Sequence, residues 1–325
     1  MTRLAVALVA LLVGANGCLL VAANPFEAGD KRFEEKTLEG HGRGRVLLVE
    51  LSGVITDQPT RRAFGLVEEE STLGRISAEL DRAGDDSRVR AVVLHVDSPG
   101  GGVTASDEIY AELRRFRAEH PMPVVASLGD VAASGGYYVA CAADTIVAHP
   151  TTVTGSIGVI LTSLNLEGLM AKIGVRNATY KAGAHKDILS PLRAATPEER
   201  RIVQGILDSL HARFVQVVRD GRPRIDAARL PQLTDGRIFG AQQALDAGLV
   251  DQIGSLRDAL AVAKRAAGLP DDARVVTYLR PSESRETIHA TGGAPAQVNV
   301  LPVDLGLPGA TGPRFEYLWA PGLGD

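Results

Sequence analysis

The chain has 325 residues, 45% of them hydrophobic, which is enough to bury a core in one large or two modest domains. Its net charge of −4 gives no electrostatic basis for binding nucleic acid. The two cysteines, Cys18 and Cys141, exclude a disulfide framework and a cysteine zinc cluster, and the seven histidines show no ligand spacing. We therefore predict no metal and no cofactor.

The N-terminal segment, residues 1–23, is apolar and allows two interpretations. Residues 4–23 form a run of about the 20 residues that a helix needs to cross a bilayer. Alternatively, residues 4–14 are the apolar part of a secretory signal and Cys18 is a lipid attachment site, although the residues before it depart from the usual lipobox. We favour either anchor over a cleaved, secreted form. Both anchors predict a body outside the cytoplasm, held to the membrane of the cell envelope.

Beyond this segment, residues 24–45 are polar and predict a linker, and residues 46–280 alternate between strand and helix patterns. The alternation predicts a single α/β catalytic domain with a largely parallel sheet. The predicted strands are 45–55, 90–97, 123–128, 145–150 and 274–279. The predicted helices are 74–86, 105–120, 134–143, 196–220, 240–249 and 255–268. Residues 281–325 lose this periodicity and predict a flexible tail, with 315–321 as a candidate docking segment.

Two stretches of small residues are candidates for chemistry. Ser134 lies among small neighbours, which let a substrate approach closely and leave backbone N–H groups free. This environment suits a nucleophile, but it also suits the start of a tight helix. Residues 98–103 follow a predicted buried strand and contain three consecutive glycines, where backbone N–H groups can approach an oxyanion. A phosphate-binding turn or a plain strand–helix corner is the alternative there.

The residues alone leave open which group deprotonates Ser134. A histidine would give a triad or a hydrolase elbow, whereas a lysine would give a dyad. No candidate stands in a motif that singles it out. The candidates are His95 with Asp97, His211, His289, Lys181 and Lys186.

Four motifs resemble those of one known family, and this resemblance favours a lysine over a histidine as the base. Residues 98–103, 133–144, 154–159 and 183–191 together resemble the short form of the bacterial signal peptide peptidase A family, and residues 234–254 are also similar to it. The resemblance implies the Clp/crotonase-like fold, with mostly parallel sheets flanked by helices. It also implies a serine–lysine peptidase that needs no cofactor.

The resemblance makes Ser134 the nucleophile, Lys186 the general base and Ser156 the serine that hydrogen-bonds the lysine. A lysine accepts a proton only when it is neutral, and the ordinary pKa of a lysine is about 10.4. Burial favours the neutral form, because desolvation disfavours the ammonium. Ser156 can orient the amine without adding a negative charge. Asp187, which follows the lysine, must therefore point away from it.

The resemblance also implies an oxyanion hole formed by the N–H groups of Gly101 and Gly135, with Gly100 holding the turn. It implies hydrophobic peptides as substrates, in particular remnant signal peptides. It further implies a homo-oligomeric ring in which the serine of one subunit meets the lysine of its neighbour. Two functions of other classes stay open: an acyl-CoA hydratase or isomerase on the same fold, which needs carboxylate acid/base groups, and a non-catalytic membrane scaffold.

Overall fold

The computed structural model describes residues 33–62, 67–281, 283–290 and 315–319. The predicted anchor at residues 1–23, including Cys18, lies outside this described part. Among the residues that are described, no helix combines the length and the apolar character needed to cross a membrane.

Strands and helices alternate along the described chain, as the sequence predicts. The strands are β1 (Glu34–Glu39), β2 (Arg45–Ile55), β3 (Thr60–Arg62), β4 (Val67–Glu69), β5 (Val89–Gly102), β6 (Val124–Ala133), β7 (Thr145–Ala148), β8 (Val153–Gly155), β9 (Ile238–Gly240), β10 (Gln252–Ile253), β11 (Arg274–Leu279) and β12 (Glu316–Leu318). The helices are α1 (Thr72–Asp85), α2 (Val103–Glu119), α3 (Gly135–Ala140), α4 (Glu167–Lys172), α5 (Pro197–Gly221), α6 (Leu230–Leu233), α7 (Ala241–Asp246) and α8 (Leu256–Ala266).

A large sheet of mostly parallel strands forms the body. Its order is β1, β11, β2, β5, β6, β7 and β10, while β12 pairs with β5, and β8 joins β6 to β9. Strands β2, β5, β6 and β7 run parallel to one another at the centre, and β3 and β4 form a separate two-stranded sheet. The predicted α/β fold, with a mostly parallel sheet flanked by helices in a single domain, is confirmed.

The central strand β5 is covered on both faces. Val92, Leu94 and Val96 are fully buried in the core cluster that includes residues of α1 and α2. Ala91 and Val93 point the other way, into the cluster that includes residues of α8. Burial on both faces explains why this strand is an almost continuous apolar run in the sequence.

Two segments that were predicted to be irregular belong to the sheet. Strand β1 falls inside the predicted linker 24–45 and pairs antiparallel with β11. Strand β12 falls inside the predicted flexible tail 281–325 and pairs antiparallel with β5. We correct the predicted linker and tail at these residues. Both strands are held by backbone pairing and lack an alternating apolar pattern, so periodicity did not reveal them.

The first part of the predicted tail also packs on the body. Ile288 is 1% exposed and joins the cluster that includes α8. Arg285 is 3% exposed, and its guanidinium lies 3.2 Å from the Glu50 carboxylate of β2. The described body therefore continues past residue 280, the predicted end of the domain.

Candidate active site

Ser134 occupies a strained turn between β6 and α3. The residue is 1% exposed, and its backbone angles, φ 51° and ψ −117°, lie where residues other than glycine are uncommon. Its N–H donates to the Gly155 carbonyl, and its own carbonyl accepts from the Tyr138 N–H, both at 2.8 Å. A serine held in such a strand-to-helix turn is typical of an enzyme nucleophile.

The glycines of the predicted oxyanion hole lie beside this turn. A Cβ on Gly100, whose φ is +104°, would lie 2.7 Å from the Gly135 nitrogen, so the end of β5 approaches the start of α3 more closely than a side chain permits. Gly101 pairs with Ile55 of β2, and a Cβ on Gly101 would meet the Ile55 backbone nitrogen at 2.5 Å. These contacts show why the motif needs glycines.

Ser98 fixes the glycine turn, a role that the sequence reasoning missed. The side chain is fully buried. Its hydroxyl donates to the Gly53 carbonyl at 2.6 Å and accepts from the Gly100 N–H at 3.1 Å. The Gly100 N–H is thereby engaged, which fits the prediction that Gly100 holds the turn rather than donating to an oxyanion. The only sequence signal was the position of this serine at the start of the glycine run.

Strand β8 brings Ser156 next to Ser134. The parallel strands β6 and β8 pair Ala133 with Gly155, so the two serines follow at adjacent positions. Ser156 is 9% exposed and has a φ of 50°, and its N–H donates to the Arg237 carbonyl at 2.8 Å. The structure thus places Ser156 beside the turn that holds Ser134, and its catalytic role stays a prediction.

Lys186 lies in different surroundings. It belongs to residues 161–195, which we call the arm, and none of the arm's residues is buried. The Lys186 N–H donates to the Gly183 carbonyl at 3.2 Å. Its exposed side chain makes no hydrogen bond or ion pair with any described residue, Ser134 included. A single chain therefore does not assemble the Ser134–Lys186 pair, which stays a prediction.

The neighbouring Asp187 points away from Lys186, as the predicted base requires. Its carboxylate accepts from the Arg193 Nε at 2.7 Å and also bonds the Lys181 ammonium. These hydrogen bonds, to Arg193 first and Lys181 second, hold the pKa of Asp187 well below its usual range. Lys181 is engaged by this contact and by the Ala184 carbonyl at 2.8 Å, which sets it apart from Lys186.

Arg193 links the arm to the body. Arg193 bonds Asp187 on the arm and also bonds the Glu199 carboxylate of α5 at 2.8 Å. Glu199 completes the capping box of that helix, accepting from the Thr196 N–H at 2.8 Å. The hydrogen bond from Arg193 and that from the Thr196 backbone lower the pKa of Glu199 to about 2. We call Asp187, Arg193 and Glu199 the arm clamp.

The histidine candidates are not bonded to Ser134. His95 lies on β5 opposite Ser127, and burial lowers its pKa. The buried His95 Nδ1 has no hydrogen-bond partner among the described residues, and the Asp97 carboxylate accepts from the Val131 N–H at 3.1 Å, so His95 and Asp97 do not form part of a triad. The His211 ring lies 2.6 Å from the Thr234 carbonyl.

An extended segment of the chain itself lies beside the glycine turn. Residues 315–319 include β12, which pairs Tyr317 with Gly101 in antiparallel register. On the opposite edge, Glu316 and Ile160 exchange two backbone hydrogen bonds of 3.0 and 3.1 Å. The gap between the glycine turn and Ile160 is therefore a cleft that accommodates a peptide strand.

Comparison with known proteins identifies the family of the chain. The profile of peptidase family S49 matches residues 117–270. An Enterococcus faecium protein with the provisional name signal peptide peptidase SppA is 38% identical over 277 residues, 83% of this chain and 79% of the relative. A Synechocystis protein provisionally named a protease is 40% identical over 224 residues, 69% of this chain and 79% of the relative.

The chloroplastic serine protease SPPA of Arabidopsis thaliana is 34% identical over 228 residues, 69% of this chain and 33% of the relative. The resemblance drawn from the four motifs is confirmed. The chain belongs to peptidase family S49 and is a serine protease with a Clp-like fold.

Proposed function

We propose that the protein is a membrane-anchored endopeptidase that uses Ser134 and Lys186 to hydrolyse hydrophobic peptides, with remnant signal peptides as its substrates. One observation carries the proposal. Ser134 stands in a strained, buried turn between the glycine backbone of β5 and the adjacent Ser156, beside a cleft that accommodates an extended peptide. The name of the Enterococcus faecium relative supports the substrate class.

The reaction is an acyl transfer in two steps. The Ser134 hydroxyl attacks the peptide carbonyl carbon while the neutral Lys186 amine accepts its proton. The N–H groups of Gly101 and Gly135 donate to the oxyanion of the tetrahedral intermediate. The C–N bond then breaks, and the leaving amine takes the proton from Lys186. Water, deprotonated by the same lysine, cleaves the acyl-enzyme to release a carboxylic acid and restore the serine.

We propose that the lysine comes from a neighbouring subunit of a homo-oligomeric ring. Apolar side chains on the arm face solvent in the single chain, among them Leu169 at 56%, Ile173 at 66% and Tyr180 at 97% exposure. Exposed apolar surface of this kind marks an interaction site. In a closed ring every interface is the same, so every site would receive its lysine in the same way. Covering the arm would also remove water from the amine, which favours its neutral form.

Mixing two inactive variants tests this proposal. Ser134→Ala and Lys186→Ala are each expected to leave a synthetic signal peptide intact. Refolded together in equal amounts, they should recover about a quarter of the wild-type activity, because that fraction of interfaces joins an intact serine to an intact lysine. Each variant refolded alone is the control. Hybrid oligomers without activity would refute the shared site.

The anchor is proposed from the sequence alone. An apolar segment at residues 1–23, with or without lipid on Cys18, would hold the body at the outer surface of the membrane. Released signal peptides lie in this membrane, so the anchor would keep the site close to its substrates. Mass spectrometry of protein extracted from membranes should find acylated Cys18 or the intact N-terminal segment. A free terminus beyond Cys18 without lipid would contradict the anchor.

A further inference from the structure

We propose that Asp107 is a positioning residue for peptide hydrolysis. Its carboxylate accepts a hydrogen bond from Tyr138 and so fixes α3, the helix that follows Ser134, against α2, the helix that follows the glycine turn. The inference rests on the proposed function, because it takes Ser134 as the nucleophile and the N–H groups of Gly101 and Gly135 as the oxyanion donors.

The two predicted oxyanion donors belong to different parts of the fold. Gly101 lies at the end of β5, just before α2 begins, whereas Gly135 is the first residue of α3. The sheet pairs Ser98 with Ala132, but Gly135 lies past the end of β6. The distance between the two N–H groups therefore depends on how α3 sits against α2. A small displacement matters, because each donor must lie about 3 Å from the oxyanion.

The first contacts between these helices are made by glycine. A Cβ on Gly135 would lie 2.5 Å from the Ser106 hydroxyl oxygen of α2, and a Cβ on Gly136 would lie 2.8 Å from the Ser98 carbonyl oxygen. Glycine lets the backbones approach this closely. It has no side chain to interlock with its neighbour, so the contact alone does not fix how α3 is turned. A directional bond farther along α3 can supply that constraint.

Tyr138 provides this directional bond. Its ring is fully buried, and its hydroxyl donates to the Asp107 carboxylate at 2.5 Å. A hydrogen bond to a charged acceptor is among the strong ones. Burial, and next the bond with Asp107, raise the pKa of Tyr138, so the phenol remains a donor. The Tyr138 N–H donates to the Ser134 carbonyl at 2.8 Å, which connects the bond directly to the nucleophile turn.

Arg213 holds the Asp107 carboxylate from a third helix. This arginine of α5 donates to the same carboxylate oxygen that receives the Tyr138 hydroxyl, from Nη2 at 2.8 Å and from Nε at 3.2 Å. The charge of Asp107 is thereby paired, although its side chain is 40% exposed. Because both bonds end on one oxygen, the guanidinium keeps the carboxylate in the orientation that Tyr138 needs.

Steady-state hydrolysis of a synthetic signal peptide by the full chain tests the inference. Asp107→Ala should lower kcat by about tenfold and leave KM unchanged, since the oxyanion is stabilised only in the transition state. Tyr138→Phe, which keeps the buried ring, should have the same effect. The two changes together should cost no more than either alone, because both remove the same bond. Asp107→Asn keeps an acceptor oxygen and should restore most of the wild-type kcat.

Tyr137→Phe is the matched control. Tyr137 is the preceding residue of α3, is also fully buried and donates its hydroxyl to the Leu249 carbonyl at 2.7 Å. Both tyrosine variants lose one buried hydrogen bond and should lower the Tm similarly. Well below that temperature, Tyr137→Phe should keep the wild-type kcat.

An unchanged kcat in Tyr138→Phe, or equal losses of kcat in the two tyrosine variants, would overturn the inference. Hydrolysis by the wild type but not by Ser134→Ala would then still support the proposed function. A wild type that left the signal peptide intact would overturn the proposed function and the inference together.

Discussion

Ser134 and Lys186 lie in opposite physical surroundings. Ser134 is 1% exposed and is fixed by paired strands, by a backbone hydrogen bond and by glycine contacts that leave no room for a side chain. Lys186 lies on the arm, where no residue is buried and which the arm clamp links to α5. The fold of one chain therefore determines the geometry of the nucleophile. No contact among the described residues sets the position of the predicted base relative to the serine.

The largest loss of activity is expected when Ser134 is replaced. Ser134→Ala should reduce peptide hydrolysis by about 10³-fold or more. The free energy of unfolding should change by about 1 kcal/mol at most, because only a hydroxyl is lost. Ser127→Ala is the matched control, since Ser127 is likewise a buried serine and lies in β6, the strand that precedes Ser134. Hydrolysis of a quenched signal peptide and thermal unfolding measure the two effects, and retained hydrolysis would remove Ser134 from the mechanism.

The second-largest loss of activity is expected from a change in the glycine backbone beside Ser134. A methyl group in Gly100→Ala would overlap the Tyr317 carbonyl oxygen in the cleft and would also strain a backbone with φ +104°. The rate should fall by about 10²–10³-fold, as it does when an oxyanion donor is lost. Gly205→Ala on α5 is the control, because nothing lies within 4 Å of its Cβ. Steady-state kinetics of both variants decide the point, and equal rates would contradict the predicted oxyanion hole.

Ser156 bears on both regions of this comparison. It belongs to the body that holds Ser134, but it is predicted to orient Lys186 of the arm. Ser156→Ala should lower kcat by about ten- to hundredfold without abolishing turnover, since misplacing a catalytic group slows the reaction without removing it. KM should stay near the wild-type value. Wild-type kinetics in this variant would reduce Ser156 to a structural residue of the β8 turn.

The same contrast explains what the sequence could predict. The closeness of Ser134 to Gly100 and Gly101 was predictable because short motifs contain these residues and the fold holds their backbone in place, and their catalytic roles stay predictions. Strand β12 was predicted only as part of a tail that contained a candidate docking segment, since its pairing depends on the backbone of β5. The place of Lys186 relative to Ser134 could not be derived, because no contact among the residues that the structure describes sets it.

The smallest effect on activity is expected from changes in the arm clamp. The stability that the clamp contributes should depend on pH in the opposite direction to the stability contributed by a buried carboxyl in the body. The pKa of Glu199 is lowered to about 2, and that of Asp187 is also lowered, chiefly by hydrogen bonds from Arg193. The clamp should therefore stabilise the arm fully above the ordinary pKa of these groups and weaken as the pH falls from about 4.5 towards 2. Glu79 in the body is 1% exposed, and burial raises its pKa to about 7 despite Arg75 at 2.9 Å. Its contribution should be largest at acidic pH and decline as the pH rises from about 4.5 to 7.

Hydrogen exchange followed by mass spectrometry separates the two trends, because it reports on the arm and on α1 within one sample. At pH 3 the arm should lose protection relative to pH 6, while α1 should keep its protection or gain some. Asp187→Asn should loosen the arm already at pH 6 and lower peptide hydrolysis several-fold, since Lys186 is the next residue. Asp235→Asn is the matched control: this carboxylate also pairs with an arginine, Arg237, which lowers its pKa, but it lies outside the arm. If both variants behaved alike, the clamp would be an ordinary surface ion pair, and the arm would owe its position to other contacts.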